Sequence, residues 1–325
     1  MIDRIRWKSN RLEILDQRRL PAKIIYLPAR TPQETAKAIK DMVTRGAPLI
    51  GCAGAYGYAL ALGCAKPKSW KETERILDNA AYTLRHARPT AVALMYAVDR
   101  LHNLAKDFIS RNKKLPLSPA LVKTLARKIE AEAGKIYSED VAANNALSEK
   151  GARLLPKNAV VMTICNAGAL ATAGIGTALG VIYKARDAGK IKHVYACETR
   201  PYLQGARLTM FELMREKIPC TLITDNMAAH IMKTCRINAV IAGADRIAAN
   251  GDTANKIGTY GLSVLAKHHN IPFYIAAPMP TIDYSIPDGG HIPIEERSVE
   301  EVVNLGKIRI APKGAKARHP AFDVT

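Results

Sequence analysis

A cysteine and an aspartate each follow a short apolar segment of strand length in the second half of the sequence. Cys165 and Asn166 come after the apolar residues 159–164, and Asp245 ends the segment AVIAGAD. A thiol can exchange protons or attack an electrophile, and a carboxyl group that loses solvent is suited to general acid–base catalysis. The alternatives are a small buried cysteine, and an aspartate that caps a helix or pairs with Arg246.

Three basic side chains lie beside predicted turns or helix starts, where a phosphate group could bind. Arg45 precedes Gly46 and Ala47, and the next predicted helix would add its free N–H groups to the guanidinium. Arg88 precedes a proline and is therefore expected in extended backbone, whereas Lys256 directly precedes a predicted helix. The alternatives are a solvated arginine in an ordinary helix–turn–helix and a surface lysine.

The elements that would position these residues alternate between strand and helix after residue 158. Apolar segments predict strands at 159–164, 192–197, 220–224, 239–242 and 273–276. Small residues after Gly168 give way to a helix-like pattern through Ala185, and further helices are expected at 204–216, 226–233 and 257–269. Such alternation predicts a parallel sheet covered by helices. We expect one crevice at the carboxyl edge of this sheet, where the polar strand ends would meet.

The first half of the sequence is mainly helical. Short strands are predicted around 4–7, 12–15 and 23–28, and helices at 31–46, 49–62, 67–83, 91–106 and 119–147, with a loop over 107–119. The fold class is therefore α/β. We predict a small, mainly helical amino-terminal domain with short strands over residues 1–150, and a Rossmann-like catalytic domain over residues 151–325.

A glycine series near Cys165 departs from the nucleotide-binding pattern. Gly174, Gly176 and Gly180 form G-x-G-x-x-x-G about ten residues after the predicted strand, instead of G-x-G-x-x-G at its end. Glycines that permit close helix packing are the preferred interpretation, so no dinucleotide cofactor is expected.

The net charge of +19, from 48 basic and 29 acidic residues, is high for a chain of 325 residues. It indicates either a polyanion such as RNA or a phosphorylated substrate with a basic solvated surface. The basic residues are dispersed and aromatic residues are only 6% of the chain, whereas a surface that stacks on single-stranded RNA needs exposed aromatics. The phosphorylated substrate is favoured, and no nucleic-acid partner is expected.

The six cysteines show neither a C-x-x-C pair nor metal-ligand spacing with the eight histidines. They indicate reduced thiols in a cytoplasmic protein without a metal. The amino terminus lacks an apolar signal core, and no apolar run reaches the length that spans a membrane. Neither secretion nor membrane insertion is expected.

Eight sequence blocks resemble the methylthioribose-1-phosphate isomerases, the sugar-phosphate branch of the family that also contains the regulatory α, β and δ subunits of eukaryotic initiation factor 2B. The blocks are RGAPLIGCAGAYG (45–57), RPTAVALMYAVDR (88–100), CNAGALATAGIGTALGVI (165–182), ETRPYLQGARLT (198–209), LITDNMAA (222–229), AGADRIAANGDTANKIGTYGL (242–262), TIDYSIPDGGHIPIEER (281–297) and HPAFDVT (319–325). They span nearly the whole chain in the family's order.

The resemblance implies a cofactor-independent aldose–ketose isomerase in methionine salvage, acting on 5-methylthioribose 1-phosphate, and a homodimer. It implies Cys165 and Asp245 as the catalytic pair, a pair that the regulatory subunits lack. The implied substrate-binding residues are Arg45, Gly46, Ala47, Arg88, Gln204, Asn255 and Lys256. Isomerisation of 5-deoxyribose 1-phosphate or ribose 1,5-bisphosphate is the alternative, and a non-enzymatic regulatory or RNA-associated protein is a remote one.

Overall fold

The computed structural model describes residues 2–8, 10–63, 65–88 and 91–325. Cys64, Pro89 and Thr90, which the predictions above include, lie outside the described residues. The described chain forms two compact units. The helical unit contains residues 2–143 and 170–174, and the sheet unit contains residues 144–169 and 175–325.

The helical unit begins with an antiparallel sheet of three short strands in the order β1-β2-β3. These strands are β1 (Ile5–Lys8), β2 (Arg11–Leu15) and β3 (Tyr26–Ala29). The helices are α1 (Pro32–Lys40), α2 (Ala47–Ala59), α3 (Trp70–Arg85), α4 (Val92–Asn112) and the first part of α5 (Pro119–Leu154), whose residues 144–154 belong to the sheet unit. The inward residues Leu12 and Ile14 of β2 join Leu49, Leu94 and Leu101 in one buried core. The predicted strands and helices of this half are therefore present.

Two helix ends differ from the prediction. The capping Thr31 side chain accepts from the Glu34 N–H as expected, but α1 ends at Lys40 instead of reaching Gly46. Met42 takes φ 58°, and the Val43 N–H turns back to the Ala38 carbonyl, which closes the helix. Helix α4 continues to Asn112 through the first half of the predicted loop.

The sheet unit contains five parallel strands in the order β10-β7-β4-β5-β6. Its elements are β4 (Ala159–Thr163), α6 (Ala178–Asp187), β5 (Ile191–Cys197), α7 (Met210–Arg215), β6 (Cys220–Ile223), α8 (Ala228–Thr234), β7 (Ala239–Ala242), β8 (Arg246–Ala248), β9 (Thr253–Lys256), α9 (Thr259–His268), β10 (Phe273–Ile275), β11 (Ile282–Asp283), α10 (Glu300–Val303), β12 (Asn304–Leu305), β13 (Ile308–Arg309) and β14 (Phe322–Val324). Val161 and Met162 of β4 belong to separate buried clusters, as expected of a strand with apolar packing on both faces. The predicted α/β class is confirmed.

A second sheet, with strand order β11-β8-β9-β14, was missed by the sequence analysis. No strand is predicted between the strand at 239–242 and the helix at 257–269, because ANGDTANKIG has the glycine-rich composition of a loop, but β8 and β9 form an antiparallel hairpin there. Gly251, with φ +97°, makes the turn, and the Ala248 N–H donates to the Asp252 carbonyl. β14, at the carboxyl end of the chain, pairs antiparallel with β9.

Candidate active site

The turns that carry Cys165 and Asp245 follow two neighbouring strands of the parallel sheet. β4 and β7 pair directly, and the Thr163 hydroxyl donates to the Ile241 carbonyl at 2.8 Å near their carboxyl ends. A Cβ atom added to Gly243 would lie 2.8 Å from the Ala167 Cβ, so the two turns are in close contact. The predicted meeting of these strand ends at one edge is therefore present.

Cys165 lies in the left-handed region, with φ 62°, which is costly for a residue other than glycine. Two threonines hold its peptide groups. The Cys165 N–H donates to Thr199 Oγ1 at 2.8 Å, and the Thr209 hydroxyl donates to the Cys165 carbonyl at 2.6 Å. The residue is half-buried, unlike the buried Cys52 and Cys197. Its strained backbone and partial exposure are features of a functional position.

The helix expected after the small residues that follow Gly168 is α6, which begins at Ala178 and ends at Asp187. Its amino-terminal end contacts the site, because the Thr177 and Leu179 N–H groups both donate to the Ala167 carbonyl. The close helix packing expected of the glycines is confirmed at Gly180 of α6, where a Cβ would lie 3.4 Å from the Ser148 Cβ of α5, whereas a Cβ at Gly176 would meet the Gly168 backbone outside any helix. The start of α6 therefore supports the turn after Cys165 from within the sheet unit.

Asp245 is half-buried at the start of the β8–β9 hairpin. Its N–H donates to the Ala254 carbonyl at 2.9 Å, and the adjacent Arg246 pairs with Asp283 at 3.6 Å. A basic group that the sequence analysis missed, Arg297, also acts on this region. Burial opposes the charged form of Arg297, but hydrogen bonds to Glu295 and the charges of nearby carboxylates, including Asp245, raise its pKa overall. Arg297 therefore stays cationic near these carboxylates.

Lys256 lies on β9 and is only 4% exposed, so the alternative of a surface lysine is wrong. Its Nζ donates to the Ala321 carbonyl at 2.9 Å and lies 4.6 Å from the centre of the Phe322 ring. The adjacent Asn255 is also buried, and its Nδ2 donates to Thr259 Oγ1 at 2.9 Å. Ala321 and Phe322, at the start of the carboxyl-terminal strand, thus fix the position of the Lys256 ammonium group. The local sequence around Lys256 could not indicate these contacts.

Gln204 directly precedes a π-helical turn, Gly205–Thr209, which was predicted as ordinary α-helix. A Cβ at Gly205 would overlap the Cys197 carbonyl, so this turn approaches the end of β5 more closely than any other residue type allows. Gln204 is 2% exposed, and its Oε1 accepts no hydrogen bond from the part of the chain that the structure describes. A buried amide oxygen in this state is suited to a donor on a ligand.

In the helical unit, Arg45 is 5% exposed, so the alternative of a solvated arginine is wrong. Its Nε donates to Gln17 Oε1 at 3.1 Å, and Gln17 Nε2 donates to the Leu170 carbonyl at 2.8 Å. Gln17 was missed because nothing in its local sequence marks a site residue. Its position shows that the guanidinium is oriented by a buried amide.

Gly46 caps the amino terminus of α2, with Ala47 as the first helical residue. Gly46 has φ +92°, and a Cβ there would lie 2.5 Å from the Ala171 Cα. Arg88 is half-buried in the same unit, and its Nη1 contacts the Met42 sulfur at 3.8 Å. The predicted residues 45, 46, 47 and 88 therefore belong to the helical unit, and residues 165, 204, 245, 255 and 256 to the sheet unit.

Two further properties were examined over the described ranges. Within residues 2–8, 10–63, 65–88 and 91–325, no group of three or more His, Cys, Asp or Glu side chains has an arrangement that could hold a metal ion. Among these same residues, no helix combines the length and the apolar character needed to cross a membrane.

The model of the initiation factor 2 subunit family matches residues 43–325. A curated methylthioribose-1-phosphate isomerase from Desulforamulus reducens is 49% identical over 319 residues, which are 98% of this chain and 90% of that protein.

Two solved structures are similar over the whole of this chain. The 5-methylthioribose 1-phosphate isomerase from Pyrococcus horikoshii OT3 matches with a TM-score of 0.89 and 41% identity, and 88% of that chain is covered. Translation initiation factor eIF-2B, subunit delta, from A. fulgidus matches with a TM-score of 0.85 and 45% identity, and 92% of that chain is covered.

Proposed function

The chain belongs to the initiation factor 2 subunit family, and we propose that it is an aldose–ketose isomerase that converts 5-methylthioribose 1-phosphate into 5-methylthioribulose 1-phosphate in methionine salvage. The observation that carries the proposal is the near-full-length identity of 49% to a methylthioribose-1-phosphate isomerase. The position of Cys165 and Asp245 after paired strands is consistent with it.

Ring opening is the first chemical requirement. The anomeric oxygen of an aldose 1-phosphate carries the phosphate, so the sugar cannot open spontaneously to an aldehyde. A general acid must protonate the ring oxygen as its bond to C1 breaks. We assign this role to Asp245, which would act in its protonated form and lies half-buried at the sheet edge, beside the turn that carries Cys165.

Hydrogen transfer from C2 to C1 is the second requirement. C2 is oxidised to a ketone while C1 is reduced by the same amount, so the substrate supplies both electrons and no external hydride carrier is needed. One route removes the C2 proton and passes through a cis-enol phosphate, and the other is a direct hydride shift. We assign Cys165 to proton transfer, as base and acid in the first route or as acceptor of the C2 hydroxyl proton in the second.

Substrate binding is assigned to the residues that the family resemblance implies. The Arg45 and Arg88 guanidinium groups, the Gly46 and Ala47 amides and the Lys256 ammonium are suited to a phosphate. The amides of Gln204 and Asn255 are suited to sugar hydroxyls. The buried Gln204 oxygen supports this assignment, because a hydroxyl could donate to it.

Three broader expectations accompany the assignment. We propose a homodimer in the cytoplasm, acting on a small sugar phosphate. The division into domains at 1–150 and 151–325 also stays a prediction, since compactness alone does not establish independent domains.

A second candidate function comes from the A. fulgidus relative, whose structure is that of an initiation factor subunit at 45% identity. A regulatory or RNA-associated protein would also be consistent with the net charge of +19. Salt-dependent RNA binding without isomerase activity would support this candidate.

The proposed function is tested by turnover of 5-methylthioribose 1-phosphate, 5-deoxyribose 1-phosphate and ribose 1,5-bisphosphate. We expect the methylthio substrate to be preferred, and Cys165→Ser and Asp245→Asn to lower kcat by about 10³-fold or more, since each removes a proton-transfer group. Cys235→Ser, at another half-buried cysteine of the sheet unit, is the matched control and should stay near wild type. Absence of turnover by the folded wild-type protein would overturn the proposal.

A further inference from the structure

A buried carboxylate lies beneath the Cys165 turn and has no place in the chemistry assigned so far. Glu212, on α7, is 6% exposed. Its Oε1 accepts from Asn166 Nδ2 at 2.7 Å, and its Oε2 accepts from the Tyr183 hydroxyl at 3.2 Å. Burying a carboxylate costs free energy that an apolar side chain would avoid, so its presence here calls for a function.

The hydrogen bonds of Glu212 continue to the backbone of Cys165. Asn166 Nδ2 also donates to Thr209 Oγ1 at 3.2 Å, and the Thr209 hydroxyl donates to the Cys165 carbonyl at 2.6 Å. The carboxylate also contacts the far end of the turn. A Cβ added to Gly168 would lie 2.7 Å from the Glu212 Cδ.

The second donor to Glu212, the Tyr183 hydroxyl, lies on α6. Burial and the charge of Glu212 raise the pKa of Tyr183 well above its usual value. The hydroxyl therefore stays protonated over the whole physiological range and continues to donate. The carboxylate thus has one donor on the Cys165 turn and another on a neighbouring helix.

We propose that Glu212 is a positioning residue for the isomerase reaction, acting through Asn166 and Thr209 to hold Cys165 in its left-handed backbone conformation. This inference rests on the proposed function, because the proposed isomerase reaction is the one in which the Cys165 thiol transfers protons. A peptide with φ 62° relaxes toward negative φ unless its neighbours oppose the change. Since proton transfer requires close geometry, a relaxed turn slows the reaction without loosening the phosphate.

The experiment compares Glu212→Ala and Glu212→Gln with the matched control Glu216→Gln, which lies just after the same helix and pairs with Arg186. Steady-state kinetics are measured beside alkylation by iodoacetamide, read at each cysteine by peptide mass mapping. The fully buried Cys197 reports general loosening of the sheet unit. Thr209→Val and the Thr209→Val/Glu212→Ala double variant complete the set.

We expect Glu212→Ala to lower kcat by about 30-fold with KM changed less than about threefold, as for a group needed only in the transition state. Alkylation of Cys165 should become at least about threefold faster as the turn opens, with that of Cys197 unchanged. Glu212→Gln should keep most of the activity, because its oxygen can accept from Asn166 and its nitrogen can donate to Tyr183. The double variant should lose little more than the worse single variant, since both act through one chain of hydrogen bonds.

The proposal is overturned if Glu212→Ala keeps kcat within about twofold of the Glu216→Gln control. It is equally overturned if Cys197 and Cys165 gain alkylation together, because Glu212 would then serve stability alone. If Glu212→Ala does not fold, Thr209→Val decides by the same readouts. If the wild type turns over no sugar phosphate, the proposed function fails, and the alkylation of Cys165 alone still decides whether Glu212 holds the turn.

Discussion

Gln17 presents its two amide atoms to two different partners. One is the guanidinium of Arg45, which it orients, and the other is the carbonyl of Leu170. Because a buried guanidinium binds a phosphate well only in a fixed orientation, Gln17 would control how well Arg45 performs the phosphate binding proposed for it. A residue without a ligand contact would then control substrate affinity.

Replacement of this amide therefore affects substrate binding. Gln17→Leu should raise KM for the sugar phosphate by about tenfold with a smaller change in kcat, since Arg45 loses its acceptor. Gln17→Glu keeps an acceptor for Arg45, so its KM should lie between those of the wild type and Gln17→Leu. Steady-state kinetics check this expectation, with Gln33→Leu on the exposed side of α1 as the control. An unchanged KM in folded Gln17→Leu would contradict it.

At the residue scale, sequence located the polar strand ends but not the partners that hold them. Cys165 and Asp245 follow apolar strand segments, a local pattern that is visible in one sequence. For Lys256 the alternative of a surface lysine stayed open, because its partners, Ala321 and Phe322, come more than sixty positions later. Glu212 and Gln17 likewise act through residues distant in the chain, and no local pattern indicates such contacts.

Gly46, at the start of α2, combines a positive φ with close approach of the Ala171 backbone. Gly46 begins α2 at φ +92° with Ala171 against it, whereas Gly251 has a similar φ of +97° in the β8–β9 turn and open space around it. The two glycines therefore share a positive φ but differ in contact, and Gly46, with ψ 127°, also lies outside the left-handed helical region.

Alanine substitution of this pair gives a stability prediction. Gly251→Ala should lower Tm by about 3 °C, because a left-handed alanine costs roughly 1–2 kcal/mol. Gly46→Ala should lower Tm by at least about twice as much, since the new methyl group also meets the Ala171 backbone. Thermal unfolding followed by circular dichroism measures both shifts. Equal Tm shifts for the two variants would show that the helical unit accommodates the added methyl group with no further loss of stability.

At the element scale, regular apolar periodicity was sufficient to predict strands and helices, whereas elements with irregular backbone were missed. The five parallel strands and most helices were predicted because their patterns are local. The hairpin of β8 and β9 was missed because ANGDTANKIG has the composition of a loop, and β9 is stabilised by pairing with β14 from the chain end. The π-helical turn after Gln204 was missed because it depends on contact between Gly205 and Cys197.

At the scale of the whole molecule, the charge of +19 opposes the proposed homodimer, because two such chains repel each other. Screening shortens the range of this repulsion from about 30 Å at 0.01 M salt to about 10 Å at 0.1 M salt. Salt should therefore strengthen self-association.

Light scattering should give twice the chain mass of 35.4 kDa at about 0.3 M sodium chloride, with dissociation favoured near about 0.01 M. Sucrose at matched osmolarity is the control, because it leaves ionic strength unchanged. A monomer at every salt concentration would contradict the homodimer. A dimer that dissociates as salt rises would instead indicate an interface held by opposite charges.

The membership of residues 170–174 in the helical unit has a consequence for biosynthesis. The buried Arg4 guanidinium binds the carbonyls of Thr172, Ala173 and Gly174, and Gln17 binds that of Leu170. These acceptors are translated well after residue 143, where the continuous part of the unit ends. At roughly 5–20 residues per second, synthesis of this intervening segment takes some seconds, during which Arg4 and Gln17 lack these acceptors. Chaperones would therefore meet an incomplete amino-terminal half until the first strand of the parallel sheet and the turn after it have emerged.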